Sequence, residues 1–137
     1  MEYTKINSEI MDKLVAIVGK DNVLTSESKL KEYSHDEVTD PAYHHMPEVV
    51  VMANNTQEVS AVVKLANEYH FPVVPRGAGT GLVCGAVPIY GGVVLSLENM
   101  DRIIEINDKA MYAIVEPGVR TAVLQKEVDK LGCLYAG

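Results

Sequence analysis

At 137 residues the chain is long enough for one domain with a real core, and 47% apolar against 23% charged residues excludes a disordered polymer. A net charge of −7 without any basic cluster argues against nucleic acid and anionic membrane surfaces as partners. No apolar run approaches the ~20 residues that span a bilayer, and the charged start MEYTKINSEIMDKL has no apolar secretory core. Cys84 and Cys133 stand apart without CxxC spacing, so a cytoplasmic protein without a disulfide is expected.

Asn7 and Ser8 suit the cap of a helix that carries Ile10, Met11, Leu14, Val15 and Val18 on one side and stops at Gly19. Ser26 to Tyr33 reads as a second, short helix, followed by the irregular acidic and histidine-rich stretch SHDEVTDPAYHHMPE. EVVVMA (48–53) predicts a buried strand. Thr56 is then expected to cap a helix with Val59, Val62, Val63, Leu65 and Ala66 inward, and FPVVP (71–75) is the next strand. Such a β-α-β unit is parallel and right-handed. VVLSL (93–97), IIEIN (103–107) and MYAIVEP (111–117) follow as strands, the last two joined by a tight turn at Asn107–Ala110. Thr121 opens a helix with Val123, Leu124, Val128 and Leu131 inward, Gly132 closes it, and CLYA is expected to begin a further strand that ends unpaired.

Between the second and third of these strands lies PRGAGTGLVCGAVP (75–88), with glycines at 77, 79, 81 and 85. Glycine at this density disfavours both helix and strand. A dinucleotide fingerprint would need a helix after the loop. Although Asp101 falls about 20 residues past Gly81, the stretch from Leu82 to Gly92 holds Gly85, Pro88, Gly91 and Gly92, which a helix would not tolerate. A phosphate loop of the Gly-Lys-Ser/Thr kind is absent. A plain surface turn is a further reading, but a turn between strands takes only about 2–5 residues. The remaining reading is an anion nest, in which Gly77, Gly79 and Gly81 let successive amides face one concave side. Thr80 adds a hydroxyl there, and Arg76 either pairs with a phosphate or holds the loop. A side chain at Gly79 would block the backbone or fill the phosphate space.

PRGAGTGL, a small-residue run, GGVVLSLENMDRIIEI, and VEPGV before a helix about 40 residues later resemble the FAD-linked oxidases of the vanillyl-alcohol-oxidase/PCMH type. The resemblance is greatest to the branch holding glycolate oxidase D subunits and FAD-dependent D-lactate dehydrogenases, and it runs from near Val23 to the last residue. It implies an α+β PCMH-type FAD-binding domain, with a β-α-β first subdomain and the beginning of a second. Residues 1–45 would be an N-terminal helical segment, and 46–137 the truncated N-terminal part of the FAD domain. Pro75, Arg76, Gly77, Ala78, Gly79, Thr80, Gly81 and Leu82 would cradle the flavin pyrophosphate. Gly85 and Ala86 would let the cofactor approach, and Pro117, Gly118 and Val119 would line its flank.

Relatives with covalent flavin carry a histidine in this loop, so the FAD is expected to be non-covalent. The resemblance further implies oxidation of a small 2-hydroxy acid, D-lactate or glycolate, with electrons passed to an electron-transfer flavoprotein or iron–sulfur subunit. Catalytic residues would lie beyond Gly137, and self-association into a homo-oligomer is an expectation for the isolated stretch. Another alcohol or sugar substrate, and a non-catalytic nucleotide-binding module, are the alternatives. Ala53 and Cys84 depart from the family pattern, where a proline and a small unreactive residue are usual.

His35, Asp36, Asp40, His44, His45 and Glu48 are the right residue types for a metal, but their spacing fits no compact motif. They read instead as a solvated or FAD-domain packing loop. Cys84 reads as a small buried residue, and Tyr33, Tyr43 and Tyr112 as half-buried packing residues.

Overall fold

The computed structural model describes residues 2–137. Helix α1 spans Ser8–Val18. Asn7 Oδ1 accepts from the Ile10 amide at 2.9 Å, and Gly19, at φ 85°, ends the helix by donating its N–H to Val15. The expected apolar side is the buried one, through Ile10, Leu14 and Val18. A two-residue strand β1 (Val23–Leu24), unforeseen in the sequence, precedes the short helix α2 (Glu27–Glu32).

Strand β2 (Val49–Met52), helix α3 (Thr56–Tyr69), strand β3 (Val73–Arg76) and strand β4 (Val93–Ser96) follow. Asn55, rather than Thr56, caps α3: its Oδ1 accepts from the Glu58 amide at 2.9 Å, while Glu58 reaches back to the Asn54 amide at 2.8 Å. Thr56 stands one position inside, where a side chain cannot turn back onto the free amides.

The sheet order is β1-β2-β4-β3, with β1 antiparallel to β2 and both β2 and β3 parallel to β4. The two strands of the expected β-α-β unit are parallel but not neighbours, because β4 inserts between them. Two features account for that order. All four residues of β4 are buried, so it takes a central place. Pro75 lacks an N–H and is suited to an edge, where β3 lies.

Val49, Val51, Val93 and Leu95 meet Ile10, Leu14, Val62 and Leu65 in a single core, so α1 and α3 cover one face of the sheet. Burying these side chains fully contributes about 1.5–3 kcal/mol each. Val63 is 43% exposed, off the inward face, because the apolar stripe of α3 narrows to Val62, Leu65 and Ala66.

Strands β5 (Ile103–Asn107) and β6 (Tyr112–Val115) form the expected hairpin, with a bulge between Ile103 and Glu105. Helix α4 (Thr121–Asp129) buries Leu124 and Val128, while Val123 and Leu131 remain largely exposed. Leu131 lies beyond the last helical residue, which removes it from the inward stripe. The expected strand at CLYA is not formed: residues 133–137 make no ladder. Their carbonyls at Tyr135 and Gly137 instead accept from Gln125 Nε2 of α4, at 3.4 and 3.2 Å. Among the described residues no helix is long and apolar enough to cross a membrane.

Candidate functional site

The glycine loop leaves the sheet at the C-terminal end of β3, the end at which parallel sheets present their ligand sites. None of the amides of residues 77–86 donates a hydrogen bond to a described residue. Internal pairing resumes with Val87 to Cys84, Ile89 to Val87 and Gly91 to Pro88. The loop is exposed at Ala78, from Thr80 to Val83 and at Gly85, so this row of donors is open to solvent and to a ligand. Within the glycine trio only Gly79 has a positive φ, 74°; Cys84 adds another at 58°.

Arg76 is turned away from that row. Its side chain is buried beneath the loop, where Nη1 donates to the His35 carbonyl at 2.7 Å and Nη2 to the Glu32 carbonyl at 3.4 Å. The guanidinium also lies 5.4 Å from the Tyr33 ring centre, within cation–π range. Of the two roles open to Arg76 in the sequence, the geometry matches the second, holding the loop. A Cβ built on Gly79 would overlap the Arg76 guanidinium, so that glycine makes room for the arginine rather than for a phosphate.

The second motif lies alongside. A Cβ on Gly77 would stand 3.9 Å from the Pro117 carbonyl, and Ala78 and Gly118 line the same cleft of about 300 Å3 with Glu98, Asp101, Arg120 and Val123. Gly118 is pressed onto the turn after β4. Its N–H donates to the Met100 carbonyl at 2.8 Å, and a Cβ would overlap the Leu97 carbonyl. Val119 donates to Glu116 at 3.2 Å. Glu116 is clasped by Arg102 through Nε at 3.0 Å, Nη2 at 2.6 Å and the backbone amide at 2.9 Å. That clasp holds its carboxyl below the usual range, against a small opposing effect of burial. The turn is thus fixed from both ends.

Glu98, which the sequence did not single out, carries the far wall. Its Oε2 accepts from the Tyr33 hydroxyl at 2.9 Å and from Ser96 Oγ at 3.1 Å. Burial first, and then the Glu98 carboxylate, push the Tyr33 hydroxyl up to about 12. Arg76, Tyr33, Glu98 and Ser96 therefore run as one chain of contacts from the loop to the end of β4.

The remaining expected residues are more open. Pro75 pairs with Leu95 at the sheet edge, Thr80 and Leu82 are exposed, Ala86 is half-buried, and nothing lies within 4 Å of a Cβ on Gly85. Pro117 is exposed on the turn. The histidine-rich stretch is buried at Ser34 and Asp36 and exposed from Thr39 to Met46; the His35 and His44 rings stack at 4.7 Å, Asp40 Oδ1 accepts from the Ala42 amide, and Glu48 accepts from the Ile6 and Gly92 amides. Among the described residues no group of three His, Cys, Asp or Glu is placed to hold a metal ion. Cys84 is half-buried, its thiol pushed up by burial and by the Asp36 charge. A separate apolar groove of about 330 Å3 between the hairpin and α4 contains none of the loop residues.

Free amides in a row, with glycine and alanine at the closest approaches, fit an elongated anion of the pyrophosphate kind. Known proteins agree. Residues 47–136 match the family described as an FAD binding domain. Over 130 residues the chain is 35% identical to glycolate oxidase subunit GlcD of Bacillus subtilis, covering 95% of this chain and 27% of that protein. Over 134 residues it is 40% identical to D-lactate dehydrogenase of Anaerostipes hadrus, covering 98% of this chain and 28% of that protein. It superposes on p-cresol methylhydroxylase with a TM-score of 0.77 and 31% identity, over 88% of this chain and 24% of that one. An alkyldihydroxyacetonephosphate synthase superposes with a TM-score of 0.83 at 20% identity, covering 96% and 26%, a likeness of fold alone. The chain spans about a quarter of the length of the curated relatives it matches. The α+β, PCMH-type fold expected from the resemblance is the fold observed.

Proposed function

This chain belongs to the FAD binding domain family, and on that premise we propose that its glycine loop holds the pyrophosphate of a non-covalent FAD in an oxidoreductase acting on a small 2-hydroxy acid. The observation that carries the reading is the row of uncommitted amides at residues 77–86. Gly77, Ala78, Gly79, Thr80, Gly81 and Leu82 present their amides to the phosphates, with the Thr80 hydroxyl as a further donor. Pro75 sets the direction of the loop and Arg76 holds it from beneath. Gly85 and Ala86 keep the approach clear, and Pro117, Gly118 and Val119 wall the flank. Glu98 and Asp101 line the cleft beside Ala78 and repel phosphate, so the anion sits on the amide side and the acids face cofactor hydroxyls. No histidine lies in residues 75–92 to form a covalent flavin link.

When bound, FAD supplies the electron sink for the oxidation. The chain's own residues bind and orient it. Residues 1–45 act as the helical N-terminal segment and 46–137 as the N-terminal part of the flavin domain, in a cytoplasmic enzyme. D-lactate or glycolate is the substrate, and an electron-transfer flavoprotein or iron–sulfur subunit the acceptor. The matches to a glycolate oxidase subunit and a D-lactate dehydrogenase support this choice. Another alcohol substrate is the second reading, favoured by the likeness to p-cresol methylhydroxylase. Turnover of a hydroxy-acid panel with a dye acceptor, by purified flavoprotein carrying this chain, tests the choice. Reduction by D-lactate or glycolate is expected, and reduction only by an aromatic alcohol or a sugar would reject it.

A further inference from the structure

Oδ2 of Asp36 is a buried side-chain oxygen with no hydrogen-bond partner among the described residues. The residue is 5% exposed, and its other oxygen, Oδ1, accepts from the Val38 amide at 3.0 Å. A buried carboxylate oxygen without a donor is costly and calls for a reason. Oδ2 lies against the glycine loop: a Cβ on Gly81 would stand 3.6 Å from it, and the charge of Asp36 acts on the Cys84 thiol. The segment around it is bound to the loop from both directions. Arg76 donates to the Glu32 and His35 carbonyls, and the Glu37 amide donates to the Gly81 carbonyl at 3.0 Å. An acceptor without a donor therefore rests against a loop whose amides have no acceptors.

We propose that Asp36 is a positioning residue for the glycine loop, and that its free Oδ2 receives the Val83 and Cys84 amides when the loop closes on the pyrophosphate. This rests on the flavin reading above. Amides of the loop cannot all converge on one anion, since a turning backbone points some of them to its far side. Asp36 takes those that point inward, which fixes the remaining amides toward the ligand. A residue kept for such a purpose is expected to lower the stability of the ligand-free chain rather than raise it.

Asp36→Asn keeps the Oδ1 acceptor for Val38 and removes the charge and the second acceptor. The test is amide hydrogen exchange of this chain, wild type and variant, with and without millimolar FAD, together with the melting temperature of the ligand-free forms. In the wild type, FAD is expected to slow exchange across Gly77–Cys84 by about tenfold. In Asp36→Asn the slowing at Val83 and Cys84 is lost, that at Gly77–Leu82 weakens, and the ligand-free melting temperature is unchanged or higher. Equal slowing in both proteins, or a variant that melts several degrees lower or fails to fold, overturns the Asp36 role and leaves the flavin reading standing. Absence of any slowing in the wild type overturns the flavin reading, and the Asp36 role with it.

Discussion

Gly79 and Arg76 occupy one another's space: the guanidinium that braces the loop lies where a Gly79 side chain would have to be. The arginine is bound to carbonyls 41 and 44 residues earlier in the chain, and so joins the loop to the segment after α2. Gly79→Ala therefore meets both a positive φ of 74° and the displaced guanidinium. A loss of about 1–3 kcal/mol in unfolding free energy is expected from the backbone conformation alone. Urea denaturation of this chain without ligand measures it, and an unchanged midpoint would contradict the packing.

Arg76→Lys separates a brace from a phosphate ligand. Lysine keeps the charge but cannot fork to two carbonyls while lying over Tyr33. The expected loss is about 1.5–3 kcal/mol in the ligand-free protein, since hydrogen bonds from a charged donor are removed. A variant of full stability with weakened FAD affinity would instead assign Arg76 to the phosphates.

At Gly118 the obstruction is backbone. A Cβ would overlap the Leu97 carbonyl, lie 2.9 Å from that of Met100 and 3.1 Å from the Glu98 Cα. Nothing there is the free end of a side chain, so Gly118→Ala must shift the turn or the strand end. A destabilisation above about 2 kcal/mol is expected, in the range of core overpacking. The cleft beside Ala78 would widen or close with it.

Acid should loosen the N-terminal arm. Burial pushes the Glu48 carboxyl up, but the Ile6 and Gly92 amides and Lys5 together outweigh it and hold it below the usual range. A lowered folded value gives stability that is complete above the unfolded pKa, about 4.3, and that is lost as pH falls through the folded one. Glu48→Gln should remove part of that acid-side slope and cost about 1 kcal/mol near neutrality. Melting temperatures between pH 7 and pH 3 test it; parallel curves for both proteins would contradict it.

Alkali acts on Tyr33. Its hydroxyl is pushed up to about 12, so the folded chain keeps a proton that the unfolded chain releases near 10. The stability it contributes is present below pH 10 and is lost as pH rises toward 12. Tyr69 is also pushed up, by its hydrogen bond to Glu9, so ultraviolet titration of phenolate should show late ionisation whose last step, near 12, Tyr33→Phe removes.

Much of this was legible where the signal is local. The β-branched runs at Val49–Met52 and Val93–Ser96, the hairpin at Asn107 and the stop at Gly19 follow from patterns a few residues long. Strand order was not legible, because placing β4 between β2 and β3 is a contest between distant segments that only burial and Pro75 decide. Arg76 could be located but not oriented, since its partners are set by the path of the chain after α2. Asp36 could be placed only in a solvated or packing loop, and its burial against Gly81 emerges from the fold alone. CLYA carries strand-forming residues but has no ladder to join, so propensity alone misleads there.

The central claim, that amides 77–82 receive the FAD pyrophosphate, is tested most directly by nuclear magnetic resonance of the 15N-labelled chain. FAD, ADP and riboflavin would be titrated separately while the amides of the loop and of β2 are followed. FAD and ADP, which carry the pyrophosphate, should shift the Gly77–Leu82 amides saturably, while riboflavin, which lacks it, leaves them in place and Val49–Met52 stays unmoved. Loop amides indifferent to FAD and ADP, or shifted equally by riboflavin, would contradict the account.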